Sequence, residues 1–129
     1  MHEVTYSFLP HNSAFSADSV IKPAYLLNYP VICENGVLEH EMKPIVATDC
    51  DNIVCEAIKP AELRDDAFVA RFYEAERCRT NAKIYVGEDV KHVYRTNILE
   101  DIKSEMKIQD GAFSYSFRPF EIATFMFVK

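Results

Sequence analysis

The side chains most able to do chemistry in this sequence begin with its four histidines. His2, His11, His40 and His92 are scattered, and no two of them have the close spacing that places two imidazoles on one metal ion. We interpret each as a surface or loop-end residue. His11 follows a Leu-Pro pair at the end of a predicted strand, where loops often carry function. We prefer to interpret His11 as a turn residue whose side chain bonds a nearby carbonyl.

Asp49 and Asp51, on either side of Cys50, form an acidic cluster whose residue types suit acid and base catalysis. Cleavage of a glycosidic bond, for example, needs two carboxyl groups at a defined separation. Both aspartates fall in a predicted turn, where an Asp side chain commonly bonds its own backbone. We interpret them as turn residues, and catalysis is the less favoured alternative.

The four cysteines permit either two disulfides or four thiols. Cys33, Cys50, Cys55 and Cys78 are irregularly spaced, and they lack the close pairs that structural zinc sites use. A chain of 129 residues can also bury a core that needs no covalent cross-links. The sequence therefore favours reduced thiols, and we expect a cytoplasmic protein.

Composition and charge exclude several classes of function. The formal charge is −6 and no run of Lys or Arg occurs, so nucleic acid is an unexpected partner. No apolar run is long enough for a membrane helix, and the N-terminus lacks the basic segment and following apolar stretch of a secretion signal. Phosphate-binding glycine loops, a G-x-S-x-G elbow and a Cys/His nucleophile pair are absent. The residues alone assign no catalytic, cofactor-binding or metal-ligating side chain.

The elements that would position these side chains are strands, because the apolar pattern has period two. Val4, Tyr6 and Phe8 alternate with polar residues up to Pro10 and predict a first strand. Further strands are predicted at 44–59 (two, joined by a turn at Asp51-Asn52), 68–73, 81–86, 91–99 and 112–117.

Two more turns and one helix complete the secondary-structure prediction. Residues 87–89 form a predicted turn, and Asp110-Gly111 is a hairpin signal between 105–109 and 112–117. Only 18–28 indicates a short helix, with Pro23 in its early turn. This spacing of short strands and turns predicts an all-β fold, an antiparallel β-sandwich with at most one short helix near residues 18–28.

Six segments resemble, in the same order, the C-terminal β-sandwich region of family 38 glycoside hydrolases, which are α-mannosidases. They are HEVTYSFLPHN (2–12), AYLLNYP (24–30), NIVCEAIKPAE (52–62), ARFYEA (70–75), RTNILE (95–100) and FRPFEIATF (117–125). The resemblance implies that residues 1–129 are a single domain, the C-terminal β-sandwich portion of a larger α-mannosidase-like chain. It also implies that the abrupt first strand marks the boundary of an expressed fragment, with Met1 supplied by cloning.

For function, the resemblance implies a retaining hydrolase of α-mannosidic bonds whose zinc ion and catalytic carboxyl groups lie in upstream domains. The fragment alone is then not an enzyme, carries no cofactor, and has the remaining domains of its own polypeptide as partners. Mannose-containing glycans would be bound by the parent enzyme. Two alternatives stay open: a stand-alone carbohydrate-binding sandwich, which the absence of Trp disfavours, and a protein-interaction sandwich.

Two further expectations concern packing. Arg71 and Glu74 are candidates for supporting the parent's active-site region, although a rim or cross-strand ion pair is the preferred interpretation. The last strand, in 119–129, is apolar on both faces. Its phenylalanines Phe125 and Phe127 must therefore be covered, either by the loop that carries Tyr25 to Leu27 or by domains outside this fragment.

Overall fold

The computed structural model describes residues 2–12, 14–29, 31–37 and 43–129. One helical segment precedes the strands: a π-helical turn at Ala17–Ile21 continues directly as the α-helix Lys22–Asn28 (α1). Ser16 begins it with a capping box, in which the side chains of Ser16 and Ser19 each accept the other's backbone N–H. The short helix predicted near 18–28 is therefore confirmed.

Eight strands follow within the described residues. They are β1 (Val46–Thr48), β2 (Ile53–Pro60), β3 (Ala67–Glu74), β4 (Thr80–Val86), β5 (His92–Thr96), β6 (Ile102–Met106), β7 (Ala112–Phe117) and β8 (Ile122–Val128). They form a three-stranded sheet in the order β1-β4-β7 and a five-stranded sheet in the order β2-β3-β8-β5-β6. All pairings are antiparallel, which confirms the predicted β-sandwich.

The core lies between the two sheets and is largely aromatic. Period-two alternation puts one face of each central strand inside, and phenylalanine is the most frequent residue of the buried core. The Phe113 ring of the smaller sheet lies 5.0 Å from the Phe125 ring of the larger one, measured between centroids. Phe68 and Phe127 stack within the larger sheet at 4.8 Å. Because rings from both sheets interdigitate, neither sheet can keep its inner face dry without the other.

Strand β8 is buried on both faces, as its sequence predicts, and the cover comes from this chain. Phe125 and Phe127 are both 0% exposed and face the smaller sheet. On the outer face Met126 and Val128 are buried in a second apolar cluster with residues of β3. Among the described residues, the rings that contact Phe125 and Phe127 all belong to strands, and they are Phe68, Phe72, Phe113 and Tyr115. The expected cover by the segment of Tyr25 to Leu27 is therefore wrong.

Two loops cross the outer face of the larger sheet and meet above β3 and β8. The Glu100 carboxylate, in the β5–β6 loop, accepts hydrogen bonds from Lys59 Nζ at 2.6 Å and from the Glu62 backbone N–H at 2.8 Å. Lys59 and Glu62 belong to β2 and the β2–β3 loop, and β3 and β8 separate β2 from β5 in the sheet. A contact between the two loops must therefore pass over the central strands, whose outer apolar side chains it shields.

The first predicted strand is wrong for this structure. Residues 2–12 form no strand, and the side chains of Val4, Tyr6 and Phe8 are almost fully exposed. An alternating pattern makes a strand only where a sheet edge supplies hydrogen-bond partners. None of the described strands pairs with this segment.

The predicted turns are present, but they join strands of opposite sheets. The turn at Asp51-Asn52 links β1 to β2, and the turn at 87–89 links β4 to β5. Asp110 and Gly111 adopt positive φ and close an isolated bridge between Gln109 and Ala112. The predicted hairpin is wrong, since β6 pairs with β5 and β7 pairs with β4. A turn signal is local, whereas the partner strand is chosen by burial of the apolar face.

Candidate functional site at the Glu74 and Glu121 corner

The structure describes three of the four histidines. His92 Nδ1 lies 3.0 Å from a carboxylate oxygen of Glu105 on the neighbouring edge strand. His2 and His11 are exposed, and His40 lies outside the described residues. Among the residues that the structure describes, no group of three or more His, Cys, Asp or Glu side chains could hold a metal ion.

The acidic cluster around Cys50 holds parts of the fold together. Asp49 accepts the backbone N–H of Lys83 at 2.8 Å, and this bond lowers the pKa of the Asp49 carboxyl group. Asp51 binds Lys22 Nζ at 2.7 Å, which ties the turn to helix α1. The two carboxylates thus serve different elements.

All four cysteines are free thiols in the structure. Burial, with the neighbouring Asp49 carboxylate, raises the pKa of Cys50 to about 11. Burial also raises the pKa of Cys55 to about 11. Because the thiolate is the reactive form, both thiols are poor nucleophiles at neutral pH.

Glu74 forms the centre of a polar cluster at one end of the sandwich. Its side chain ends β3 on the inner face, where the residue is 1% exposed. One carboxylate oxygen accepts the Glu76 N–H at 2.8 Å and the Asn52 amide at 2.9 Å. The other accepts the Phe120 N–H at 3.0 Å and the Cys78 N–H at 3.2 Å. Two loops and a turn are therefore fixed by one carboxylate.

Glu121 repeats this arrangement beside Glu74. Its carboxylate accepts the Tyr115 hydroxyl at 2.8 Å and the Arg118 backbone N–H at 2.9 Å, and Arg95 Nη2 lies 3.8 Å away. The Glu121 carbonyl in turn accepts the Glu74 N–H at 3.0 Å. The two acidic residues are thus joined through the backbone as well as through the loops that they hold.

Both carboxylates remain ionised at neutral pH. Burial alone raises the pKa of Glu74, but the bonds from the Phe120 and Glu76 N–H groups outweigh it and the pKa is lowered. For Glu121 burial is again opposed, chiefly by the Arg118 N–H, and the pKa is also lowered. A carboxylate that is ionised and saturated with donors is a poor proton donor or nucleophile. The cluster is suited to fixing backbone geometry.

The cluster holds two backbone residues in conformations of high energy. The Glu121 N–H bonds the Arg118 carbonyl across a tight turn, with Pro119 second and Phe120 third. Phe120 has a φ of 57°, a value that turns usually reserve for Gly or Asn. In the adjacent loop Arg77 has a φ of 60°. For a residue with a Cβ this conformation costs about 1–2 kcal/mol.

The sequence identified one member of this corner and missed the others. Arg71 and Glu74 lie on opposite faces of β3, and Arg71 Nε contacts Thr124 Oγ1 at 3.4 Å. Neither side chain forms an ion pair with any described residue, so the preferred interpretation of a rim or cross-strand ion pair is not borne out. Asn52, Phe120 and Glu121 lie in segments that carry the family resemblance, but no site role was assigned to them. The available signal was Pro119, which favours the second position of a turn and leaves Phe120 in the third.

Comparison with known proteins gives the corner its context. The family described as "Glycosyl hydrolases family 38 C-terminal beta sandwich domain" matches residues 52–125. Two curated relatives are alpha-mannosidase 2C1 of Mus musculus, 27% identical over 133 residues, and of Homo sapiens, 26% identical over 133 residues. Each match covers 98% of this chain but 13% of the relative. The chain belongs to the C-terminal β-sandwich domain family of the family 38 glycosyl hydrolases.

Proposed function

We propose that this chain is the C-terminal structural domain of a longer α-mannosidase, with residues 1–129 as one domain. The observation that carries the proposal is the alignment with alpha-mannosidase 2C1, which extends over 98% of the chain. In this proposal the parent enzyme hydrolyses α-mannosidic bonds of mannose-containing glycans in the cytoplasm with retention of configuration. The sandwich contributes folding and support.

The residues that the structure describes do not fit the zinc centre that the family resemblance implies. No set of three or more ligand side chains converges among the described residues. Zinc binding and bond cleavage are therefore assigned to other parts of the parent polypeptide. Among those same residues, no helix is long and apolar enough to cross a membrane. The partners proposed for the chain are the remaining domains of the same polypeptide.

The test compares three proteins made from the native gene. They are the native polypeptide, the same polypeptide without the region equivalent to residues 1–129, and the 129-residue chain. Each is assayed with an aryl α-mannoside, with and without a chelator. We expect chelator-sensitive hydrolysis by the native polypeptide, loss of folded enzyme on deletion, and no hydrolysis by the short chain. Chelator-sensitive hydrolysis by the short chain would contradict the proposal.

A further inference from the structure

Arg77 and Phe120 are exposed residues with strained backbones, on two loops that meet at one buried carboxylate. We propose that this pair, together with Arg118, docks onto a surface of the remaining domains of the same polypeptide. That surface presents carboxylates around an apolar pocket. The inference rests on the proposed function, because it needs a longer chain of which this sandwich is one part.

Backbone strain is the first observation behind the docking site. Glu74 accepts the N–H groups of Glu76 and Cys78, which flank Arg77, and the N–H of Phe120 itself. One buried carboxylate thus holds both left-handed residues in place. Such strain persists only where the surroundings enforce it, and it is concentrated at functional sites.

The second observation is the exposure of the Phe120 ring. Phe120 is 61% exposed. It occupies a turn position with positive φ, in which Gly or Asn would have a lower conformational energy. A ring that is held in solvent by a strained backbone is explained by a contact that it makes outside this chain.

The third observation is the charge of the corner. Arg77 is exposed and has no ion pair among the described residues, and the Arg118 side chain is 71% exposed. The carboxylates of Glu74 and Glu121 are buried or nearly so and bind backbone N–H groups, and Glu121 also pairs with Arg118 Nε at 3.4 Å. Glu76 is exposed, and its carboxylate accepts the Ala17 N–H at 2.7 Å. The corner is therefore basic outward, although the whole chain carries a charge of −6.

Arginine and aromatic residues are the types that dominate the energy of protein interfaces. A guanidinium group binds a carboxylate through paired hydrogen bonds, and a phenyl ring fills an apolar pocket. Since the loops are already fixed by Glu74, little conformational entropy is lost on docking. The match covers only 13% of each relative, so most of a relative's length lies outside it and is available as the partner.

The experiment measures side-chain accessibility in the 129-residue chain and in the native polypeptide that contains it. Phenylglyoxal modifies Arg77, hydroxyl radicals oxidise Phe120, and mass spectrometry follows both. We expect both sites to react in the short chain and at least about fivefold more slowly in the long one, as for residues that an interface shields from water. Equal rates in the two proteins would overturn the docking.

Substitution of Phe120 gives a second test. The short chain should become more stable, whereas the native polypeptide should lose the protection of Arg77. Phe120→Gly removes both strain and ring. We expect the relief of strain to exceed the entropy that glycine adds to the unfolded chain, so the melting temperature of the short chain should rise by about 2–4 °C. In the native polypeptide the same change should restore rapid modification of Arg77. The matched control is Asp110→Gly, which relieves a φ of 50° at another turn. It should leave the modification of Arg77 unchanged, and equal effects of the two variants would overturn the proposal.

Three further outcomes separate the docking from the proposed function. A native polypeptide no longer than this chain would rule out both the proposed function and the docking. A long polypeptide with mannosidase activity and a fully reactive Arg77 would overturn the docking alone. A mannose oligosaccharide that protects Arg77 and Phe120 in the short chain would identify a sugar site instead, which also overturns the docking.

Discussion

A carboxylate that loses its water needs donors to replace it, and Glu74 finds them in the backbone of two loops. A hydrogen bond to another side chain fixes only that side chain, whereas a bond to a backbone N–H group also fixes the path of the main chain. The same carboxylate therefore fixes Arg77 and Phe120 in conformations that neither would adopt alone. At this scale a single side chain determines the shape of one end of the sandwich.

Glu74→Gln should destabilise the protein at pH 7 by about 1–3 kcal/mol, because an amide N–H then faces backbone N–H groups. The folded pKa of Glu74 is lowered, so its contribution is complete above the ordinary value of 4.5 and is lost as pH falls through the folded pKa. Urea unfolding from pH 7 to pH 3 checks this. The gap between variant and parent should narrow toward pH 3, and the exposed Glu56→Gln serves as control.

The cysteines should differ in the rate at which they react with a thiol reagent. Cys33 is exposed, whereas the pKa values of Cys50 and Cys55 are raised to about 11. In native protein at pH 8, a disulfide reagent such as Ellman's reagent should react quickly at Cys33 and slowly at Cys50 and Cys55. Peptide mapping identifies the modified sites. Rapid labelling of Cys55 in the folded protein would contradict its burial.

Strand β8 is the element on which the fold depends most. It is the central strand of the larger sheet, with β3 on one side and β5 on the other. Its inner phenylalanines meet the smaller sheet, and its outer residues lie beneath two loops. Side chains at its start, such as Ile122, remain exposed. The contribution of a residue therefore depends on its position along this one strand.

Phe127→Ala should destabilise the protein by about 3–5 kcal/mol, because it removes a fully buried ring that stacks on Phe68. Ile122→Ala, on the same strand but 60% exposed, should change the free energy of unfolding by no more than about 0.5 kcal/mol. Chemical denaturation measures both. If the two variants lost equal stability, the assignment of Phe127 to this chain's core would be wrong.

At the scale of the whole molecule, the larger sheet is covered on both faces by different means. The smaller sheet covers the inner face, and the loops joined by Glu100 cover the outer one. The carboxylate of Glu100 is almost completely buried, although its partner Lys59 is partly in solvent. This ion pair closes the outer layer, whereas the pair of Lys43 and Glu88 is exposed at both ends.

Glu100→Gln should therefore cost about 1–3 kcal/mol, since the Lys59 ammonium and the Glu62 N–H lose a shared carboxylate. Hydrogen exchange should quicken at the backbone N–H groups of Glu62 and of β8. Glu88→Gln removes one partner of an exposed ion pair and should cost less than about 1 kcal/mol. Similar losses in both variants would show that the loop contact does not close the outer layer.

Part of this architecture was predictable from local pattern. Alternation over 68–73 and 112–117, and the doubly apolar end of the chain, identified β3, β7 and the central β8. These predictions hold because side-chain periodicity is imposed by the strand backbone itself. The same pattern at Val4, Tyr6 and Phe8 failed, because a strand also needs an edge to pair with.

By itself, the sequence determined the all-β class, most strand positions, the short helix and the resemblance to family 38 enzymes. Each of these depends on side-chain pattern along a short segment. Only the tertiary structure decided which sheet each strand joins, what covers Phe125 and Met126, and that the Glu74 carboxylate binds the Phe120 N–H. Those outcomes depend on contacts between residues far apart in the chain, such as Glu74 and Phe120 at 46 positions. Local propensity carries no information about such contacts.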